Sequence, residues 1–257
     1  MTRRRLDEEL VSRGIAPDLL EARRLVDTRS VAVDGAPALK PATLVASASN
    51  ISIDRPNPFV SRGGLKLQGA LEDFGIDVSG MRCLDAGAGS GGFTDCLLHG
   101  GAASVLAVDV GYGQFDWRLR NDPRVKLLER TNLRSVDPSE GPFDIVVADL
   151  SFVSLTSIAP AIARLARPQA MCLLLVKPQF EAAPEEIGAR GIVSDPAVWE
   201  RSLHAVVAAL ERAGLGTLGI RPSRLKGATG NQEFFALAAP GATTSDDAVP
   251  TALRVLR

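Results

Sequence analysis

Cysteine is scarce in this chain. Cys83, Cys96 and Cys172 are the only three in 257 residues, too few and too scattered for a disulfide framework. With two histidines and no Cys-x-x-Cys pair, the ligand spacing of a zinc site is lacking too, and no metal is expected. Excess charge of either sign is missing. The 29 Lys and Arg stand against 30 Asp and Glu, a net charge of −1, which excludes a histone-like polycation but leaves room for a local basic patch. No run reaches about 18 consecutive apolar residues, so no membrane-spanning helix is expected. Arg3, Arg4 and Arg5 are followed by Leu6-Asp-Glu-Glu9 instead of an apolar stretch, so they do not read as a signal peptide. Reduced thiols without a targeting segment point to the cytoplasm. What remains, 46% hydrophobic and 23% charged residues, is ordinary globular composition and decides against wholesale disorder.

The first 54 residues read as a small α+β unit. Leu6, Leu10 and Val11 recur at helical spacing up to Gly14, and Asp18 with Glu21 forms a helix-start signal for the apolar face Leu19, Ala22, Leu25 and Val26. Val31 and Val33 alternate into the turn Asp34-Gly35, and Val45 and Ile51–Ile53 suggest further short strands. Residues 55–60, following Asp54, are expected to be a linker because two prolines interrupt them. From 61 to 239 the pattern changes. A helix over 61–74 precedes apolar runs at 81–86, 105–110, 125–128, 145–148 and 172–176, with helical stretches at 93–99, 154–165 and 198–212 between and after them. Such alternation predicts an α/β fold, a doubly wound Rossmann-like sheet of strands buried on both faces. Glu233–Ala238 is expected as an edge or antiparallel strand, and 240–257 as a disordered tail with one helical turn near Arg257.

The turn Asp85-Ala-Gly87-Ala88-Gly89-Ser90-Gly91-Gly92 follows one strand and opens a helix, where glycines let the backbone approach a ligand and the helix start offers free N–H groups. Gly87, Gly89 and Gly92 also match the dinucleotide pattern, which by itself is weak. Asp85 decides between the two readings. A carboxylate beside the turn suits the sulfonium and ammonium of S-adenosylmethionine better than a pyrophosphate. Asp109 and Val110, at the end of the second strand, are placed for the ribose, and Asn132 for the adenine side. Asp149 and Phe152 border the same cofactor site.

Four polar residues stand where such a sheet presents its ligands: Lys66 on the first helix of this region, Asp149 and Lys177 directly after apolar strands, and Glu233 at the start of the last strand. The segments Phe59-Val-Ser-Arg-Gly-Gly-Leu-Lys66-Leu, Val108-Asp-Val-Gly-Tyr-Gly-Gln114, Leu128-Glu-Arg-Thr-Asn132, Ala148-Asp-Leu-Ser-Phe152, Val176-Lys-Pro-Gln-Phe-Glu181 and Gly230-Asn-Gln-Glu233 resemble the TlyA, or haemolysin A, family over about residues 3–239. The resemblance implies an FtsJ-like Rossmann methyltransferase domain and an N-terminal S4-type RNA-binding domain. It also implies S-adenosylmethionine as cofactor and the ribose 2′-hydroxyl of cytidine in 16S or 23S ribosomal RNA as target. Lys66, Asp149, Lys177 and Glu233 become its catalytic tetrad, with Lys177 handling the hydroxyl proton, Lys66 as the neighbouring cation that tunes it, and Asp149 and Glu233 positioning the lysines and balancing the charge. Arg3, Arg4, Arg5, Arg13, Arg23, Arg24 and Arg62 become RNA contacts. The chain is then a monomer acting on RNA within ribosomal subunits. Where family members carry Gly-Ala-Ser-Thr-Gly-Gly, this chain has Gly87-Ala-Gly-Ser-Gly-Gly92, and Arg29 stands where a glycine is usual. Three other readings compete: a nicotinamide-dependent oxidoreductase, a methyltransferase-like RNA-binding factor of ribosome assembly, and a haemolysin. The first would need a hydride site, and neither His99 nor His204 falls in a suitable motif.

Overall fold

The computed structural model of the chain describes residues 3–27, 30–53 and 57–256, leaving the Arg29 position, the linker's Asp54-Arg55-Pro56 and the terminal Arg257 outside. Contacts divide the chain into two compact units, 1–58 and 59–257.

In the first unit β1 (Arg3–Arg5) leads into α1 (Leu6–Ser12) and α2 (Leu19–Asp27). The strands β2 (Val31–Val33), β3 (Ala36–Pro37), β4 (Leu44–Ala46) and β5 (Ile51–Ile53) follow. The expected signals operate as chemistry: Glu21 N donates to Asp18 Oδ1 at 2.8 Å, and Gly14 turns the chain after α1 with φ of 67°. Leu6, Leu10, Ala22, Leu25, Val26, Val31 and Val45 form a small core. The arginines expected on RNA are largely engaged inside this unit. Arg5 and Arg23 both pair with the buried Asp7, whose carboxyl the Arg5 guanidinium holds far below the usual range. Arg13 pairs with Glu9 and donates to the carbonyls of Ser47 and Ser49, Arg4 reaches Glu9 at 3.5 Å, and Arg24 reaches Glu21 at 3.4 Å.

The second unit begins with α3 (Arg62–Phe74), β6 (Arg82–Ala86), α4 (Gly92–His99), β7 (Ser104–Val108), α5 (Trp117–Arg120) and β8 (Val125–Leu128). It continues through β9 (Phe143–Ala148), α6 (Ala159–Leu165), β10 (Ala166–Val176), α7 (Pro178–Glu181), α8 (Pro196–Arg212), β11 (Leu215–Pro222), β12 (Phe234–Pro240) and α9 (Ala248–Arg254). The seven-stranded sheet runs β11-β12-β10-β9-β6-β7-β8. Strands β10, β9, β6, β7 and β8 are parallel to one another, whereas β12 runs antiparallel to both β10 and β11. From β6 the chain winds outward to β7 and β8 on one side and to β9 and β10 on the other. The crevice at this reversal is where an open α/β sheet takes its ligand. Alternate residues of β6 serve opposite layers: Leu84 and Ala86 join the core under α6, α8 and α9, and Cys83 joins the core under α3 and α4. All three cysteines are buried free thiols pushed up to about 12 by burial. Among the described residues no helix is long and apolar enough to cross a membrane.

Two expectations need correction. Residues 240–256 are not a disordered tail: α9 buries Ala248, Val249, Ala252 and Leu253 against the sheet. The last strand is antiparallel to both neighbours and interior, because β11 lies outside it. Gly214, Gly216, Gly219 and Pro222 hide β11 from a propensity reading, and the pairing tolerates them through an irregular register between Thr217 and Gly219. The linker does not extend to residue 60. Phe59 is buried in the second unit, lies over Gly64 where a Cβ would collide with it, and meets His99 edge-on at 5.4 Å. Val60 N donates to Asp95 at 2.8 Å.

Candidate active site

The carboxyl ends of β6, β7, β9 and β10 open onto one cavity of 690 Å³. Its floor is the glycine turn after β6. Gly87 has φ of 85°, and a Cβ there would meet the Asp149 carbonyl oxygen at 2.5 Å. Gly89 has φ of 54° and open space above it, so its backbone is exposed to the cavity. Gly91, with φ of 97°, is at the start of α4 rather than on the wall, and a Cβ there would strike Leu119 at 2.5 Å. Asp109 braces the turn by accepting from Gly89 N at 2.7 Å and Gly111 N at 2.6 Å. Ala88, Ser90, Gly92, Val110, Asn132, Asp149 and Phe152 line the cavity as expected.

Asp85 does not. Its side chain lies beneath the glycine turn, fully buried, with Oδ2 accepting from Thr94 Oγ1 at 2.6 Å and Oδ1 without a partner. The alternation of β6 decides this, since Asp85 shares the face of Cys83 that looks toward α4. Burial pushes its carboxyl up to about 7, and the nearby Asp149 and Asp109 act in the same direction. A folded-state value above the unfolded one means that its contribution to stability is full below about pH 4 and is lost as pH rises through 7. Asp85→Asn is therefore expected to melt higher than the parent at pH 8 and to flatten the fall in Tm between pH 4 and 7. A thermal melt series in ligand-free buffer measures both, and a variant that melts lower at pH 8 would contradict the assignment.

The four polar residues come together as two ion pairs at the mouth of the cavity. Asp149 follows Ala148 of β9 and Lys177 follows Val176 of β10; Lys177 Nζ sits 2.5 Å from Asp149 Oδ1 and donates to Ser151 Oγ at 3.1 Å. Phe234 is the register partner of Val176, so the antiparallel β12 brings Glu233 to the same strand end. Lys66, one turn into α3, donates to Glu233 Oε2 at 2.6 Å. Lys177 and Glu233 are both buried, and the Lys66 side chain is 11% exposed. Each ammonium is thus matched by one carboxylate.

Three contributors went unread in the sequence, although each lies inside or beside a motif. Ser151 holds Lys177. Glu181, its carboxyl pushed up by burial, accepts from Ser154 Oγ at 2.5 Å and Leu155 N at 2.8 Å, tying the loop after β10 to the loop after β9. Asn231, fully buried, accepts from Val193 N and donates to the Gly191 carbonyl, fastening the 188–193 loop beside Glu233. Of the expected RNA contacts, Arg62 borders the cavity and donates to the Lys226 carbonyl at 3.2 Å.

The glycine cradle, the orphaned Asp85 oxygen below it and lysines already matched to carboxylates fit a cationic cofactor better than a pyrophosphate. The FtsJ-like methyltransferase family matches residues 59–239. The chain belongs to that family and, within it, to the TlyA group. It is 48% identical over 237 residues to the 16S/23S rRNA (cytidine-2′-O)-methyltransferase TlyA of Mycobacterium tuberculosis, covering 91% of this chain and 88% of that one. Hemolysin A of Brachyspira hyodysenteriae is 36% identical, with 90% and 98% covered. A putative hemolysin from Streptococcus thermophilus superposes with a TM-score of 0.74 at 35% identity, over 100% of this chain and 98% of that one. The haemolysin and rRNA-methyltransferase names therefore fall on members of one group.

Proposed function

We propose that this FtsJ-like enzyme methylates the ribose 2′-hydroxyl of cytidine in ribosomal RNA, with S-adenosylmethionine as cofactor. The observation that carries the reading is the pair of buried ion pairs, Lys177–Asp149 and Lys66–Glu233, at the rim of a glycine-floored cavity. When bound, the cofactor supplies a methyl group activated by its sulfonium. Gly87, Gly89 and Asp109 would hold it, with Asn132 on the adenine side, while Asp85 stays bonded to Thr94 beneath the turn.

The chain's part is placement and proton handling. Lys177 Nζ is aimed by Asp149 and Ser151, so one of its hydrogen-bonding positions is left for the ribose oxygen. A hydroxyl held there is kept in line for displacement at carbon, and orientation of this kind lowers the barrier by removing rotational freedom beforehand. For the hydroxyl to be methylated, Lys177 would hand a proton to Asp149 and take up the hydroxyl proton in its place, so that the pair would gain the positive charge that the sulfonium would lose as its C–S bond gives way to the O–C bond. The first unit, read as S4-like, supplies RNA affinity together with Arg62. Because its arginines are mostly ion-paired, this affinity depends on exchange of internal partners for phosphates.

Tritiated methyl transfer to unmethylated ribosomal subunits, followed by nucleotide mapping, tests the reading. The expected product is 2′-O-methylcytidine in 16S RNA, 23S RNA or both. A methyl group on a base atom overturns it, and so does cofactor-independent RNA binding with no transfer, the behaviour of an assembly factor.

A further inference from the structure

Among the described residues, four other than glycine have φ between 51° and 62°: Asp34, Arg130, Phe152 and Arg190. Asp34 needs no functional account, because aspartate tolerates this region in a hairpin turn and its carboxylate accepts from Asn50 N at 2.8 Å. The other three share a location. Arg130 follows β8, Phe152 follows β9 and Arg190 lies in the connection after β10, so all stand on the face where the cavity opens, and all three are exposed. Left-handed backbone is costly for side chains with a full Cβ, and such strain collects at functional surfaces.

Arg190 is the least explained of them. Arg130 stacks on Tyr112 with its guanidinium carbon 4.1 Å from the ring centroid, and Phe152 packs on Phe180 at 5.3 Å. Among the described residues, no ion pair or hydrogen bond engages the Arg190 guanidinium. Its backbone, by contrast, is firmly held. Arg190 and Gly191 adopt consecutive left-handed conformations with φ of 62° and 73°. Gly188 N donates to the Ile192 carbonyl at 2.9 Å, and Asn231 grips both sides, donating to the Gly191 carbonyl at 2.8 Å and accepting from Val193 N at 2.9 Å. Asn231 also receives Gly227 N on its own carbonyl and stands two residues before Glu233, so the strained turn is tied to the segment that carries the ion-paired carboxylate. Ala228, in that same segment, lines the cavity.

We propose that Arg190 is a phosphate contact for the substrate RNA beside the target nucleotide, and that the strained turn fixed by Asn231 exists to present its guanidinium there. This rests on the RNA-methyltransferase reading above. Glu186 is paired with Arg201, and among the described residues no carboxylate pairs with Arg190. A planar guanidinium suits a phosphate better than an ammonium does.

Arg190→Gly separates structure from function, because glycine relieves the strain while removing the contact. The variant is expected to melt about 2–4 °C higher than the parent. Its cofactor affinity and its kcat at saturating RNA should stay unchanged. Its KM for unmethylated ribosomal subunits should rise on the order of 10-fold. The dependence of log affinity on log salt should become shallower by about 0.7–0.9, one phosphate's worth. Arg190→Lys should recover part of the affinity and the full salt slope. An active parent chain together with an Arg190→Gly variant of unchanged KM and salt slope overturns the contact alone. A parent chain that transfers no methyl group to RNA overturns the methyltransferase reading and the contact with it.

Discussion

Lys177→Ala is expected to lower methyl transfer to ribosomal subunits by about 10²–10⁴-fold, the range a positioned acid–base group contributes. Cofactor affinity should change little. Lys177 borders the cavity, and its ammonium is held by Asp149 and Ser151 as a donor aimed at the substrate oxygen rather than at the adenosyl group. Lys177→Arg should fail nearly as badly. The guanidinium is broader than the ammonium in a buried position and stays protonated, so it can neither fit between Asp149 and Ser151 nor take up a proton. Tritium incorporation under single-turnover conditions, set beside titration calorimetry with S-adenosylmethionine, separates transfer from binding. Wild-type transfer by Lys177→Ala would remove the lysine from the mechanism; lost cofactor affinity with normal transfer at saturation would make it a binding residue.

Lys66→Ala has a different signature, because its partner is buried more deeply. Glu233 is 3% exposed, and its side chain receives Lys66 at 2.6 Å. Removing the cation leaves a carboxylate uncompensated in a dry strand end, a loss of about 3–5 kcal/mol. For a unit of this size that corresponds to a Tm lower by roughly 10 °C. Activity should fall as well. The double variant Lys66→Met with Glu233→Gln removes both charges while keeping the volumes, so stability should largely return. If the pair matters only for packing, activity returns with it. If Lys66 and Glu233 shape the catalytic rim, activity stays low at normal Tm, and this second outcome is the one expected. Denaturant melts and initial rates on the same preparations decide the matter.

The contrast between these two lysines shows how far the sequence could be read. Lys177 follows an apolar strand and Lys66 lies in a glycine-flanked helix start, and both positions are visible in the linear order of residues. Their partners are not. Spacing reveals which groups converge on a sheet edge but not which carboxylate meets which lysine. The antiparallel return of β12 gives Glu233 to Lys66, and the parallel neighbour β9 gives Asp149 to Lys177. A pairing of this kind depends on strand register, which is set by the packing of the whole sheet.

Asp85 teaches the same lesson. Its place before the glycine turn was legible. Its depth was not, because strand alternation points it at Thr94 on α4 and away from the cavity. The sequence by itself determined the α/β class, the glycine floor, most strand positions and the four polar residues at the rim. These follow from local rules: apolar runs for buried parallel strands, glycines for left-handed turns, charged residues only where a strand ends. Only long-range packing decided that β11 is a strand despite its glycines, that the C-terminal segment forms α9, and that Arg4, Arg5, Arg13 and Arg23 pair with Asp7 and Glu9. It also decided which ammonium meets which carboxylate. In each case the deciding energy is burial or pairing with residues distant in sequence, which no local pattern records.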